Sequence, residues 1–180
     1  MTSQNNQKSP EQIAREYEAA VDPGLVEFIE KVRSISGDKV NKLEYEVSVI
    51  GERQRNDYEK LMGIPLKATH NVYCGSEVNH TVNRHGADGD ADQSMSDIRD
   101  IARIGYILTD YDNIGFAIDK NGSTCYSSKY KSANNKPSPI MLYVKRINGF
   151  HIVAQTVNDS KRKRLYVIST YKNKNNPLKN

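Results

Sequence analysis

The sequence predicts an α+β protein in which N-terminal helices precede a four- to five-stranded antiparallel sheet. Two observations carry that expectation. Helix punctuation (Ser9-Pro10, Asp22-Pro23, a glycine closing each periodic run) is confined to residues 10–104. Residues 114–171 instead hold two Asn-Gly pairs, Asn121-Gly122 and Asn148-Gly149, each flanked by short apolar and β-branched runs, which is hairpin chemistry.

Taken in order, residues 1–9 are polar, lack apolar anchors and are expected to be disordered. Ser9 is a helix cap with Pro10 at the first helical position, and a helix follows to about residue 20, with Ile13, Tyr17 and Ala20 on one side. Asp22-Pro23 starts a second helix whose Leu25, Phe28, Ile29 and Val32 recur at helical spacing, ending near Gly37. Residues 43–50 alternate (Leu43, Tyr45, Val47, Val49) as a strand does. A helix over 52–62 is closed by Gly63, and Val72-Tyr73 is a short strand. Ser76 caps a helix over 77–84 with Gly86 past its end, and Ser96 caps a short helix over 97–104. Strands follow at 114–118, 124–126, 140–147, 150–157 and 165–171. The division expected is a disordered start (1–9), a helical extension (10–40), one domain (41–175) and a tail (176–180).

No run approaches the roughly 20 apolar residues of a membrane span, and the N-terminus has no apolar signal-peptide core. A cytoplasmic protein is expected, or one delivered into a target cell's cytoplasm by a route that needs no signal peptide. Cys74 and Cys125 make no disulfide scaffold, so a reducing compartment is the default.

The net charge of +4 conceals an asymmetry. From Lys129 onward there are twelve Lys/Arg and one acid, a net of +11; residues 1–128 carry fourteen Lys/Arg against twenty-one acids, a net of −7. A basic half implies a polyanion or an acidic protein as partner, unless runs such as Lys161-Arg162-Lys163-Arg164 are merely solvated.

Three places could carry chemistry. On a helix, His85 shares a face with Val78 and Val82 in the last turn, while His80 and Arg84 share another. A helix C-terminus favours imidazolium by roughly 0.3–1 kcal/mol, which suits an acid, a base or a phosphate ligand. The competing reading is a histidine that caps the helix end and packs. On the last strand, alternation puts Ser169 with Tyr171 and Thr170 with Tyr166; these hydroxyls and rings can hold phosphate or base, or reflect ordinary strand propensity. Of Lys145 and Arg146, one must face away from the helices, where a cation could stabilise a phosphate, or simply be solvated. His70, Cys74, His80 and His85 match no common zinc spacing, Asp88, Asp90 and Asp92 lack the remaining features of a calcium loop, and no cofactor is indicated.

The segments Tyr45-Glu46-Val47-Ser48-Val49-Ile50-Gly51, Leu61-Met62-Gly63-Ile64, His70-Asn71-Val72, His80 through Gly86, Tyr143-Val144-Lys145-Arg146-Ile147-Asn148-Gly149 and Leu165-Tyr166-Val167-Ile168-Ser169-Thr170-Tyr171 come in an order and spacing that resembles a known group. The chain is similar to the phage-associated nucleases of the barnase–EndoU–colicin–RelE-like group, found at the C-terminus of phage MuF-type head proteins and of polymorphic toxins. The resemblance spans residues 43–172. It implies a metal-independent endoribonuclease of toxin type, with RNA (tRNA included) across the sheet and an acidic immunity protein as a second partner. It implies catalytic roles for His85, Lys145, Thr170 and Tyr171, cleavage by the 2′-hydroxyl and a 2′,3′-cyclic phosphate product. His80, Arg84, Arg146, Ser169 and the run from Lys161 through Arg164 would contact RNA. Thr81 stands where the group usually has an apolar residue. The alternative is a non-catalytic RNA- or protein-binding module of the same fold.

Overall fold

The structure is a computed structural model describing residues 7–132, 135–158 and 163–179. Both expected helix starts form. Helix α1 (Pro10–Ala19) is capped by Ser9, whose side chain accepts the Gln12 N–H at 3.2 Å. Helix α2 (Pro23–Ser34) is capped by the Asp22 carboxylate, which accepts the N–H groups of Gly24 and Leu25. A 3₁₀ turn (Gly37–Lys42) leads into β1 (Glu44–Val49), followed by α3 (Glu52–Met62) and β2 (His70–Cys74).

Helix α4 (Gly75–His85) starts directly from β2 with Cys74 as its cap rather than Ser76. The single helix expected over 97–104 is two short ones, α5 (Ile98–Ile101), capped by Asp97 and not Ser96, and α6 (Ile104–Thr109). The rest is β3 (Asn113–Phe116), β4 (Tyr126–Lys131), β5 (Pro137–Pro139), β6 (Met141–Ile147), β7 (Gly149–Asn158) and β8 (Arg164–Asn173). Gly149 has φ +90°, the left-handed geometry that its hairpin turn requires.

The main sheet has six strands in the order β1-β2-β8-β7-β6-β3, one or two more than expected, and β4 pairs only with β5. All pairs in the main sheet are antiparallel except β2 with β8. That parallel pair joins residues 71–73 to 165–167. Nothing local in either strand announces such a pairing, because a parallel partner is reached through a long crossover rather than a turn.

Two bulges re-aim side chains. On β1, Val47 is the extra residue between Glu46 opposite Val72 and Ser48 opposite Asn71. Ser48 therefore faces the core, where its hydroxyl accepts from the Asn71 amide, and Val49 is left 67% exposed. On β8, Ala154 pairs with Ser169 but Gln155 pairs with Val167, so Ile168 is the extra residue.

The helices lie on one face of the sheet, and Leu25, Ile29, Val78, Ile104 and Leu108 pack there with Tyr73, Tyr143, Val153 and Val167. Helix α2 thus contributes to the same core as the sheet. The opposite face carries Leu142, Val144, Ile152 and Ala154, against which Ala117, Ile140 and Leu178 pack. The β4–β5 ribbon lies over the same face, anchored by Tyr130 stacked on Tyr166 at 4.7 Å and 19°. No helix among the described residues is long and apolar enough to cross a membrane.

Candidate active site

The C-terminal carbonyls of α4 need partners, and the loop behind it supplies them. Gly86 donates to Val82, Asp90 to Asn83, Ala91 and Asp92 to Arg84, and Met95 to His85, all at 2.8–3.1 Å. Gly86 is required by proximity: a Cβ there would sit 2.4 Å from the Val82 carbonyl oxygen. The loop so wound brings Asp92 to His85, whose Nδ1 donates to Oδ2 at 2.8 Å. Asp92 itself accepts the Ser94 N–H at 2.9 Å, and the Ser94 hydroxyl accepts the Lys172 N–H at 3.1 Å, tying the loop to β8.

Partial burial of Asp92 opposes its ionisation, but the bonds from Ser94 and His85 outweigh it and hold the carboxyl below its usual range. Across from it, the His85 ring stacks on Tyr171 at 5.2 Å and 25°. Burial, with the Asp92 charge, raises the Tyr171 phenol, which stays protonated. The His85 side chain keeps 13% of its surface exposed. With Nδ1 occupied, Nε2 is the nitrogen available for proton transfer, and the carboxylate fixes both tautomer and ring orientation.

The expected site residues do not all meet. His85 and Tyr171 are in contact, and Ser169 and Arg146 lie on the same, helix-free face; Arg146 is exposed there, with its backbone N–H on Asp112. Ser169 is only 8% exposed and its hydroxyl has no hydrogen-bond partner among the described residues. Thr170 and Lys145 point to the helix side. The expected pairing of Thr170 with Tyr166 on one face is corrected: the bulge at Ile168 turns Thr170 toward Val153, while Tyr166 packs with Val72 and Tyr130 on the other side.

Thr170 is fully buried; its hydroxyl donates to the Ile152 carbonyl at 2.8 Å and accepts from His151 Nε2 at 2.7 Å. His151 was not singled out by the sequence. Its Nδ1 lies 2.9 Å from the Tyr17 hydroxyl of α1, which also lies 3.4 Å from Asp100; in the neutral ring the proton is on Nε2 and Nδ1 accepts from that hydroxyl. Burial, then the charges of Lys172 and Arg103, push its pKa down to about 3.

Lys145 is 3% exposed, with Nζ 3.3 Å from both Asp110 and Asp112. The geometry is that of a cation holding two carboxylates at the end of α6. Lys145→Met is expected to cost about 1–3 kcal/mol in urea denaturation. That is less than the roughly 3–5 kcal/mol of a wholly buried pair, because both acids stay partly hydrated and Asp110 keeps Lys8 at 2.9 Å. Unchanged stability would rule out this holding role.

His80 and Arg84 are exposed on α4, with Arg84 3.5 Å from Asp90. Lys163 is exposed and Arg164 pairs with Glu44 and Glu46 at the far end of β8; Lys161 and Arg162 lie outside the described residues. Four cations of the basic half meet acids from the rest of the chain: Lys129 binds Glu77, Lys145 binds Asp110 and Asp112, Arg164 binds Glu44 and Lys172 binds Asp100. His70, Cys74, His80 and His85 do not gather, and among the described residues no three His, Cys, Asp or Glu side chains are placed to hold a metal.

Asp92 was visible only as part of an acidic loop. Its contact with His85 depends on the loop geometry after Gly86 and has no periodic signature in the sequence.

Helices on one face of a mostly antiparallel sheet are consistent with the barnase–EndoU–colicin–RelE-like class of nuclease domains. Residues 48–180 match the family described as phage-Barnase-EndoU-ColicinE5/D-RelE like nuclease3, and the chain belongs to that family. Neither the curated proteins nor the solved structures contain a match. Helices α1 and α2 precede the matched region.

Proposed function

We propose that the protein is a metal-independent endoribonuclease of the toxin or effector type, acting on RNA in a cytoplasm. The contact of His85 with Asp92, braced by Tyr171, supports this reading above all. In the reaction, His85 takes the proton of a ribose 2′-hydroxyl, the 2′-oxygen attacks phosphorus, and the P–O5′ bond breaks. The departing 5′-oxygen takes a proton from solvent water, and the imidazolium of His85 returns its proton to the hydroxide so formed, leaving a 2′,3′-cyclic phosphate and a 5′-hydroxyl. Tyr171, held protonated, donates toward the phosphate, and Arg146 on the same face supplies positive charge. Lys145 and Thr170 act behind the sheet, holding α6 and β8 in place, rather than on the substrate. An acidic immunity protein would be the natural second partner for the exposed cations.

Incubation of the protein with total RNA in EDTA tests this. Fragments ending in 2′,3′-cyclic phosphate are expected, with no cleavage where a 2′-deoxy residue replaces the attacked ribose. Cutting of the deoxy position would overturn the 2′-hydroxyl mechanism, and intact RNA would point to a binding module.

A further inference from the structure

We propose that the outer face of the arm formed by residues 117–132 and 135–140, which contains the β4–β5 ribbon, docks single-stranded RNA; this rests on the nuclease reading above. The arm has two unlike sides. Its inner side buries Ser127, Tyr130 and Ser138 against the sheet. Its outer side exposes Ile118 at 57% and Tyr126 at 59%, two of the four large apolar side chains left exposed among the described residues.

Ile118 bridges to Thr124, and Tyr126 lies two residues along the same strand path, so strand alternation sets all three on one side. An exposed tyrosine ring that nothing covers is a stacking platform for a base, and a single strand offers base faces that a duplex hides.

Cations on both sides of an exposed ring favour RNA as the occupant of this surface. The arm carries Lys120, Lys129, Lys131 and Lys136 against Asp119 alone. Lys129 is engaged by Ser76 and Glu77. Among the described residues Lys120, Lys131 and Lys136 make no ion pair, unlike Lys145, Arg164 and Lys172. Lys120 stands at the turn on one side of Tyr126, and Lys131 with Lys136 at the tip on the other, where Ser132 N–H donates to the Lys136 carbonyl. Cations at both ends of an aromatic centre match phosphates flanking a stacked base.

The arm also sits on the right strand. Tyr130 stacks on Tyr166, and Tyr171, against which His85 stacks, lies farther along β8; their partners on β7, Thr156 and Ile152, are four residues apart, about 13 Å at strand spacing. A strand of RNA held on the arm could run along β8 to His85.

The test uses the full chain carrying His85→Ala, so that bound RNA is not cut, and a fluorescein-labelled single-stranded oligoribonucleotide of mixed sequence followed by anisotropy. Adding Tyr126→Ala is expected to weaken binding about 5- to 150-fold, while Tyr126→Phe, which keeps the ring, binds as the parent does. Replacing Lys120, Lys131 and Lys136 together by alanine should reduce the slope of log affinity against log salt by about 2. Unchanged affinity in Tyr126→Ala, or an equal loss on a fully paired duplex, overturns the proposal. Cleavage by the unmodified protein is measured in parallel. If it cuts RNA while Tyr126→Ala binds normally, only the arm proposal fails; if it neither cuts nor binds, both readings fail together.

Discussion

Replacing His85 by alanine is expected to slow RNA cleavage by about 10²–10⁴-fold with the fold intact. The side chain lies at the end of α4 with a partly exposed ring, so its removal opens no core cavity. What is lost is the imidazole nitrogen that the Asp92 contact leaves free for proton transfer. Asp92→Ala is expected to lower activity less, because the ring remains stacked on Tyr171 but its tautomer is no longer imposed. Single-turnover rates, with circular dichroism to check the fold, separate these cases. If His85→Ala cuts RNA at the parental rate, His85 is not the catalytic centre, although the nuclease reading survives.

The second large effect is acid sensitivity through His151. The folded protein keeps this ring neutral between Tyr17 and Thr170, with a pKa of about 3. The unfolded chain binds a proton on the same ring below about pH 6.5. As pH falls from 6.5 toward 3, the unfolded state gains a proton that the folded state refuses. Stability present above pH 6.5 is therefore lost at up to about 1.4 kcal/mol per pH unit, or about 2 kcal/mol by pH 5. His151→Gln removes the titration. It should start less stable at pH 7, because the bonds to Tyr17 and Thr170 are disturbed, yet fall less steeply between pH 6.5 and 4. Urea denaturation across that range measures the difference between the two curves. Parallel curves would mean that His151 is protonated in the folded protein, against the buried geometry.

His151 also shows how α1 is held. Tyr17 is the one buried residue of this helix, and it reaches His151 directly while Arg103 donates to its carbonyl at 2.7 Å. Arg103 also lies 4.6 Å over the Tyr17 ring and bonds Asp100, which in turn holds Lys172. A residue outside the family-matched region thus braces the strand that carries Tyr171.

Much of the fold was legible because it is written in neighbouring residues. Ser9-Pro10 and Asp22-Pro23 start helices by satisfying N–H groups within three residues. Asn148-Gly149 folds a hairpin because only the two strands beside it need agree. His85 with Gly86 could likewise be placed at a helix end from spacing alone. The site was legible only in part. Alternation placed Ser169 and Tyr171 together, but one inserted residue, Ile168, sent Thr170 to the opposite face from Tyr166. A bulge shifts every later side chain by one, and its position depends on the partner strand, not on the strand's own pattern.

Charge behaves in the same way. The basic C-terminal half is a property of the chain, whereas the partners of Lys145, Arg164 and Lys172 are acids brought from residues 44–112 by packing. Local hydrogen bonding and periodicity settle which elements form. Which side chains become a site is settled by contacts between residues far apart in sequence, such as Tyr17 with His151 or Arg164 with Glu44, and only the folded chain contains them.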